Sequence, residues 1–239
     1  MSAQMTFKRV ELKYMLDANQ KAAVQAAMQG HVRPDQFGQN TIRNIYYDTD
    51  TYRLIRASLE KPVYKEKLRI RSYQQAAPDT PVFLELKKKF KSVVYKRRLI
   101  LAEGRASSCF ATGSRLPVDS QIAREIDYFC AFYGRLSQAV FLSYDREAYY
   151  APDGTDLRIT FDKNILYRQE DLSLCSPVWG EALLQPGMTL MEVKTSAALP
   201  LWLTEVLTRE HLYKTSFSKY GTAYQEIVRA SHKGDTKYA

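Results

Sequence analysis

The sequence of 239 residues has little cysteine, and Cys109, Cys130 and Cys175 lie far apart along the chain. Their spacing fits no metal-binding pair, and their odd number argues against a disulfide framework. Histidine is equally scarce, and the chain contains no HExxH pair and no Walker-type loop. These absences argue against a cysteine- or histidine-based metal centre and against a P-loop nucleotide site.

Long apolar runs are also missing. The opening segment MSAQMTFKRVELKY lacks the apolar core of a signal peptide. No run approaches the roughly 18 apolar residues of a membrane span. The chain has no internal repeat, low-complexity segment or convincing linker, and it is long enough to bury a sizeable core. We therefore expect a single soluble, cytoplasmic domain over residues 1–239.

Positive charge, in contrast, is plentiful. The chain has 35 Lys and Arg against 26 Asp and Glu, which gives a formal net charge of +9. Such a balance favours an anionic partner, which could be nucleic acid, a membrane surface or a phosphorylated small molecule. The net charge alone does not choose among them.

Hydrophobic periodicity predicts a strand-rich chain with a few helices. Helices are predicted at 17–30 and 119–134, from Pro200 onward, and at 218–230. Eight strand-like runs are predicted, at 10–16, 42–48, 67–73, 82–89, 92–102, 140–151, 157–163 and 189–195. The strands mostly follow one another without crossover helices, which favours antiparallel pairing. The predicted fold class is α+β, an antiparallel eight-stranded β-barrel tunnel with flanking helices.

The strands carry their charge on one side. Because successive side chains of a strand point to opposite faces, residues two apart share a face. Three strands repeat a Glu-x-Lys unit on one face, namely Glu11–Lys13, Glu85–Lys87 and Glu192–Lys194. Cations share a face in two others, as Arg69–Arg71 and Lys96–Arg98. The opposite faces are strongly apolar and could pack beneath helices.

A solvated outer face would explain one such strand, but the repetition favours a barrel whose lumen is charged. Two cations about 6 Å apart at an effective dielectric of about 20 repel by roughly 3 kcal/mol. Interleaved glutamates relieve part of this repulsion, and a bound polyanion would relieve the rest. Phosphate chains suit Arg and Lys, and the glutamates could hold a hard divalent cation that bridges the phosphates.

At this point the residues match a known family. The chain resembles the VTC domain, the polyphosphate-polymerase branch of the triphosphate tunnel metalloenzymes. The matching segments run in family order: Glu11-Leu-Lys13-Tyr14, Tyr46-Tyr47-Asp48-Thr49, Lys67-Leu-Arg69-Ile-Arg71, Glu85-Leu-Lys87, Tyr95-Lys96-Arg97-Arg98, Tyr144-Asp-Arg146, Leu157-Arg158-Ile-Thr-Phe-Asp162, Met191-Glu192-Val-Lys194 and Ser218-Lys219-Tyr220. Each segment is weak alone, and together they are specific.

The resemblance implies a tunnel in which the terminal phosphoryl group of ATP is transferred to a growing polyphosphate with the help of Mn²⁺ or Mg²⁺. The implied phosphate-binding residues are Lys13, Arg69, Arg71, Lys87, Lys96, Arg98, Arg146, Arg158, Lys194, Ser218 and Lys219. Among these, the implied catalytic residues are Lys219, Arg146, Arg158 and Lys13. Glu192 is implied as the principal metal ligand, with Glu85 and Glu11 as further candidates. Which of Lys96, Arg97 and Arg98 faces the lumen stays open.

One departure from the family pattern helps to choose between the polymerase and the hydrolytic branch. The hydrolytic and cyclase-like relatives open with Glu-x-Glu-x-Lys, whereas this chain has Arg9-Val-Glu11-Leu-Lys13. A missing carboxylate weakens a mechanism that activates water, although Glu85 and Glu147 remain available. The alternatives are a tripolyphosphatase, a non-catalytic polyphosphate-binding module and an RNA-binding module. ATP, triphosphate and polyphosphate are the expected partners, with no specific nucleic acid, while a separate membrane protein as partner and the oligomeric state stay open.

Overall fold

Strands and helices alternate irregularly along the computed structural model, which describes residues 10–91 and 93–235. The strands are β1 (Val10–Leu16), β2 (Arg33–Asp48), β3 (Tyr64–Ser72), β4 (Pro81–Phe90), β5 (Val93–Ala102), β6 (Ser137–Tyr150), β7 (Arg158–Arg168), β8 (Glu181–Ala182) and β9 (Thr189–Thr195). The helices are α1 (Ala18–Ala27), α2 (Arg53–Leu59), α3 (Glu103–Thr112), α4 (Gln121–Tyr133), α5 (Leu201–Arg209) and α6 (Lys219–Asp235).

The strands form one nine-stranded sheet in the order β1-β9-β7-β6-β2-β3-β4-β5, with β8 paired to β7. Every pair whose register is described is antiparallel. This confirms the predicted α+β class and antiparallel sheet. The number of strands differs from the predicted eight because the two-residue β8 is added. Among the described residues the order has two ends, β1 and β5, so the pairing does not close the sheet as a barrel would.

The chain divides into two compact units, and the first comprises residues 10–41, 144–165 and 184–217. One face of β1, β7 and β9 packs its apolar residues into a core with α1 and α5. This core contains Leu16, Val24, Phe161, Val193 and Leu203, all of them fully buried. The amphipathic pattern of the strands thus places apolar side chains beneath the helices and leaves the charged side chains on the other face.

Helix α1 has the start that the sequence indicates. The Asp17 carboxylate accepts a hydrogen bond from the backbone N–H of Gln20, and the Gln20 side chain accepts one from the backbone N–H of Asp17. This reciprocal capping box satisfies two backbone donors at the helix start. Helix α5 follows Pro200 directly, as predicted.

The second unit comprises residues 42–143, 166–183 and 218–235. Its core joins one face of β3, β4 and β5 to α3 and α4, and it includes Leu68, Ile70, Leu84, Leu86 and Ile126. Helices α2 and α3 were not predicted, and α6 extends five residues beyond its predicted end at 230. No helix in the described part of the chain is long and apolar enough to cross a membrane.

Candidate functional site

Eight charged or polar residues of the first unit share one face of β1, β9, β7 and β6, here called the first charged face. It consists of Glu11, Lys13, Arg146, Arg158, Thr160, Asp162, Glu192 and Lys194. The register aligns them in rows across the strands. Lys13 lies opposite Glu192, which lies opposite Thr160. Glu11 lies opposite Lys194, which lies opposite Arg158.

Glu192 is surrounded by cations on the first charged face. Its side chain is nearly buried, and Lys13 Nζ lies 3.5 Å from its Oε1. Arg146 Nη2 and Lys194 Nζ lie 3.7 Å and 3.5 Å from its Oε2. Lys13 also lies 3.3 Å from Glu11 Oε1, so one ammonium group joins the two glutamates. Three positive groups around one carboxylate leave this face with an excess of positive charge.

Arg146 is held in a fixed orientation. Its Nε and Nη2 donate to Asp162 Oδ1 and Oδ2 at 2.6 Å and 2.7 Å, and Asp162 is fully buried. The guanidinium also lies over the Tyr144 ring, 5.1 Å from its centroid. Burial opposes the charge, but Tyr144, Asp162 and Glu192 outweigh it and raise the pKa of Arg146 well above its ordinary value. Arg146 therefore stays positive and pre-oriented.

A divalent cation fits the first charged face only if a ligand completes its coordination. Among the described residues no group of three or more His, Cys, Asp or Glu side chains could hold a metal ion. Glu192 and Glu11, linked through Lys13, provide two carboxylates. Mg²⁺ and related hard cations are commonly bound by one or two carboxylates together with the phosphate oxygens of a substrate. The residues present fit such a shared site.

The second unit carries the second charged face, on β3, β4 and β5. It consists of Lys67, Arg69, Arg71, Glu85, Lys87, Lys96 and Arg98. Arg69 lies opposite Glu85, which lies opposite Arg98. In the neighbouring row, Lys67 lies opposite Lys87, which lies opposite Lys96.

Glu85 is the buried counter-ion of the second charged face, with only 1% of its surface exposed. Arg69 Nε donates to its Oε2 at 2.9 Å, and Arg98 Nε donates to its Oε1 at 2.8 Å. Lys96 Nζ lies 2.6 Å from Oε1, and Arg71 Nε lies 3.9 Å from Oε2. Burial alone would raise the pKa of Glu85, but Arg69, Arg71 and Lys96 hold it well below its usual range. One carboxylate thus balances four cations.

Neighbouring polar side chains orient the two arginines of β3. Arg69 Nη1 donates to the Tyr46 hydroxyl at 2.8 Å, and Arg71 Nε donates to Asn44 Oδ1 at 3.0 Å. Asn44 is itself fixed, because its amide donates to the carbonyl of Leu142 at 3.1 Å. The guanidinium groups are therefore positioned before any ligand arrives, which lowers the ordering cost of binding an anion.

The start of α6 adjoins the second charged face. Lys67 Nζ donates to Ser218 Oγ at 3.2 Å, and Tyr220 stacks on Tyr46 with ring centroids 4.6 Å apart. The Tyr220 hydroxyl donates to the buried Asp48 at 2.8 Å. Asp48 also accepts the backbone N–H groups of Leu54 and Ile55, so it ties β2 to the starts of α2 and α6. Lys219, the first residue of α6, is half-buried.

The structure shows which of Lys96, Arg97 and Arg98 belong to the second charged face. Lys96 and Arg98 both contact Glu85 on the second charged face. Arg97 points the other way and donates to Glu125 of α4 at 2.7 Å. This separation follows from strand alternation.

The predicted site residues thus fall into two groups. The first charged face holds Glu11, Lys13, Arg146, Arg158, Glu192 and Lys194. The second holds Arg69, Arg71, Glu85, Lys87, Lys96 and Arg98, with Ser218 and Lys219 beside it. Their assigned roles stay predictions, and Arg9 lies outside the described residues. Contacts favour Glu85 as a counter-ion, because Arg69, Lys96 and Arg98 all lie within hydrogen-bond distance of its buried carboxylate.

Sequence reasoning assigned no role to Asp162, Thr160, Tyr46 or Lys67. Strand alternation could have found the first two, since Arg158, Thr160 and Asp162 are spaced two apart on β7 and share a face. Thr160 is nearly buried, and its hydroxyl is one of four buried side-chain polar atoms without a hydrogen-bond partner in the described part of the chain. The contact of Tyr46 could be identified only from the β2–β3 register, which places Tyr46 opposite Arg69.

Comparison with known proteins gives one family and a set of related folds. The model of the VTC domain family matches residues 8–228. No curated protein sequence matches at a significant level. A candidate adenylate cyclase from Vibrio parahaemolyticus is 13% identical, with 95% of this chain and 99% of that chain covered and a TM-score of 0.50. A candidate adenylate cyclase from Bacillus halodurans is 14% identical, with 90% and 96% covered and a TM-score of 0.52. At these identities the likeness shows the fold alone.

Proposed function

The chain belongs to the VTC domain family, and from that premise we propose that it is a metal-dependent phosphotransferase. It moves the terminal phosphoryl group of ATP onto the end of a growing polyphosphate chain and releases ADP. The observation that carries the proposal is the gathering of Arg and Lys on the strand faces opposite the two apolar cores. Its substrates are ATP, triphosphate and polyphosphate, with no specific nucleic acid, and residues 1–239 act as a single domain.

The second charged face binds phosphate groups. Arg69, Arg71 and Arg98 present oriented guanidinium groups, which pair with phosphate oxygens through two parallel hydrogen bonds. Glu85 keeps these cations together in the absence of ligand. Lys87 and Lys96 add compact charges that follow the phosphates without demanding one geometry.

The first charged face stabilises the transferred group. Phosphoryl transfer needs positioning and neutralisation of charge on the equatorial oxygens more than it needs covalent chemistry. Lys13, Arg146 and Arg158 supply that charge, and Asp162 fixes the orientation of Arg146. In the second unit, Ser218 and Lys219 bind phosphate at the start of α6, where backbone N–H groups also favour anions.

Family membership implies the use of a divalent metal, and we propose Mn²⁺ or Mg²⁺ held by Glu192 with Glu11. The ion would neutralise charge on the bridging and terminal phosphate oxygens. The ammonium groups of Lys13 and Lys194 both lie within 4 Å of the Glu192 carboxylate. This chain's contribution is to present carboxylate and ammonium groups together, so that metal and phosphate bind as a unit.

Hydrolysis by the same residues is the competing reaction, and the described carboxylates fit it less well. Activating water requires a base, and Glu85 is a weak base because neighbouring cations lower its pKa. Glu147 is occupied by Lys21, whose Nζ lies 2.9 Å from its Oε1. A phosphate nucleophile is already ionised at neutral pH and needs little help from a base. The charge distribution therefore favours transfer to phosphate.

Incubation with ATP and Mn²⁺, followed by gel analysis of the product, tests the proposal. Long phosphate chains are expected from the wild type, and Arg146→Ala should abolish them. Arg97→Ala is the matched control, because Arg97 contacts Glu125 and not the second charged face. ADP and inorganic phosphate without longer chains would replace the polymerase with a hydrolase, a nucleoside triphosphatase or tripolyphosphatase. Tight binding of polyphosphate without turnover would indicate a non-catalytic binding module.

A further inference from the structure

The second charged face changes composition along its strands. Two of its rows contain arginines, Arg71 in one and Arg69 with Glu85 and Arg98 in the next. The two rows beyond them contain only lysines as charged residues. They are Lys67–Lys87–Lys96 and, past it, Lys65–Lys89, which ends at Val94 of β5. We call these two rows the lysine rows.

The outermost lysine row is unusual for a sheet. Lys65 and Lys89 lie directly opposite each other, and like charges in that position destabilise a strand pair. Both side chains are half-buried rather than fully solvated. Burial lowers the pKa of Lys65, and the nearby charges of Lys89 and Lys61 lower it further. Lys65 Nζ donates to the carbonyl of Ser58 at 3.3 Å, which leaves further ammonium protons for another acceptor.

The distance spanned by the charged rows distinguishes short phosphate chains from long ones. Residues two apart on a strand are about 6.8 Å apart, so the four rows from Arg71 to Lys65 extend over about 20 Å. A triphosphate is shorter than this span and can be bound fully by the arginine rows and the row that follows them. Only a longer chain reaches Lys65 and Lys89.

We infer that the outermost lysine row, Lys65 and Lys89, extends the phosphate-binding face and gives the protein a preference for long polyphosphate over triphosphate. The inference rests on the proposed function and adds the substrate class that the face selects. A bound long chain offsets the electrostatic repulsion between Lys65 and Lys89. The growing polymer is then retained while the shorter triphosphate dissociates more readily.

The test compares the affinities of wild type, Lys65→Gln and Lys89→Gln for two probes at fixed ionic strength. The probes are sodium triphosphate and a polyphosphate long enough to exceed about 20 Å. The control is Lys88→Gln, which removes the same charge from the neighbouring position on the opposite face of β4. Glu66, which contacts Lys88, keeps hydrogen bonds from Tyr64 and Tyr133 in that variant.

Each lysine variant should weaken long-chain binding by about three- to fivefold, the upper range for one partly exposed ion pair. Its triphosphate affinity, and both affinities of the control, should change by less than about twofold. Equal losses for both probes, or the same losses in Lys88→Gln, would overturn the inference while leaving the proposed function intact. A wild type that binds neither probe would overturn the proposed function and the inference together.

Discussion

Asp162 binds Arg146 through two parallel hydrogen bonds of 2.6 Å and 2.7 Å, and Asp162 is fully buried. The two residues lie on adjacent strands, β6 and β7. This geometry removes the rotational freedom of the guanidinium, while one side of Arg146 remains near Glu192. A residue assigned to phosphate chemistry is thus oriented by a carboxylate that itself cannot reach solvent.

Asp162→Asn should destabilise the protein by about 3 kcal/mol, because it removes the charged partner of a buried pair and leaves Arg146 with the longer contact to Glu192. Denaturant unfolding measures the change. Asp145→Asn is the matched control, since Asp145 lies on β6 but accepts hydrogen bonds from Thr41 and Asn164 instead. Equal stabilities for the two variants would contradict the role given to Asp162.

Arg69→Ala and Arg71→Ala should each weaken triphosphate binding by about 1.5–3 kcal/mol, the scale of a hydrogen bond to a charged group. Stability without ligand should change little, because Glu85 retains its other cations in each variant. Titration calorimetry gives the affinities, with Arg97→Ala as the control on the opposite face. Unchanged affinity in both variants would mean that these arginines serve the sheet and not the ligand.

Local patterns predicted the strands well where alternation is strict. The bounds of β1 and β9 agree with the runs 10–16 and 189–195, because charged and apolar residues alternate from Val10 to Tyr14 and from Met191 to Lys194. The first half of β2 was missed, since Pro34 and Gly38 interrupt any alternation there. Helix α2 was missed because its capping carboxylate, Asp48, lies four residues before the N-cap position Tyr52. Tyr52 adopts a left-handed backbone, and the Asp48 carboxylate accepts the N–H groups at the start of the helix.

The charged faces could be predicted from alternation, but their internal pairing could not. Spacing alone places Arg69 and Arg71 on one face, yet it does not give the register that brings them to Glu85. Alternation likewise separates Arg97 from Lys96 and Arg98, but only the alignment of β5 with β4 shows which of the two faces lies beside Glu85. Register depends on contacts between distant segments, which a single sequence does not display.

Triphosphate affinity should fall as the pH rises through about 8. Burial, together with Arg98 and Arg71, lowers the pKa of Lys96 to about 8 despite its contact with Glu85. Above that pH Lys96 loses its charge and attracts phosphate less. The ligand-free protein should respond in the opposite direction, because a protonated Lys96 is disfavoured on folding and this penalty lessens as the pH rises from about 8 towards 10.5.

Lys96→Arg provides the check, since an arginine stays charged throughout this range. Affinity measured between pH 7 and 9 should then decline less than in the wild type. Lys88→Arg, on the opposite face of β4, should leave the wild-type decline unchanged. A decline of the same size in Lys96→Arg would assign the pH dependence to another group.

Glu192→Gln should remove metal-dependent activity and leave the fold intact. The neighbouring cations keep other partners in this variant, since Lys13 contacts Glu11 and donates to the Phe217 carbonyl, and Arg146 contacts Asp162. Activity is measured against Mn²⁺ concentration, and Mn²⁺ affinity in the presence of triphosphate is measured separately. Glu147→Gln is the control. Full activity of Glu192→Gln at limiting Mn²⁺ would contradict the metal assignment.

Polyanions should stabilise the protein strongly, because each charged face gathers more cations than carboxylates. A ligand at about 100 times its dissociation constant adds roughly 2.7 kcal/mol to the free energy of unfolding. For a chain of this size that corresponds to a rise in melting temperature of about 5–11 °C. Triphosphate should produce this rise at concentrations where monophosphate has little effect, since one phosphate group engages only a fraction of the Arg and Lys side chains.

Sulfate at matched ionic strength is the control for screening, which acts on all anions alike. Glu85→Gln sharpens the comparison. This variant should melt at a lower temperature than the wild type without ligand, because four cations lose their shared counter-ion. Triphosphate should raise its melting temperature by more than it raises that of the wild type. Equal responses to triphosphate, monophosphate and sulfate would instead identify a diffuse basic surface, on which Arg69 and Arg71 are merely solvated.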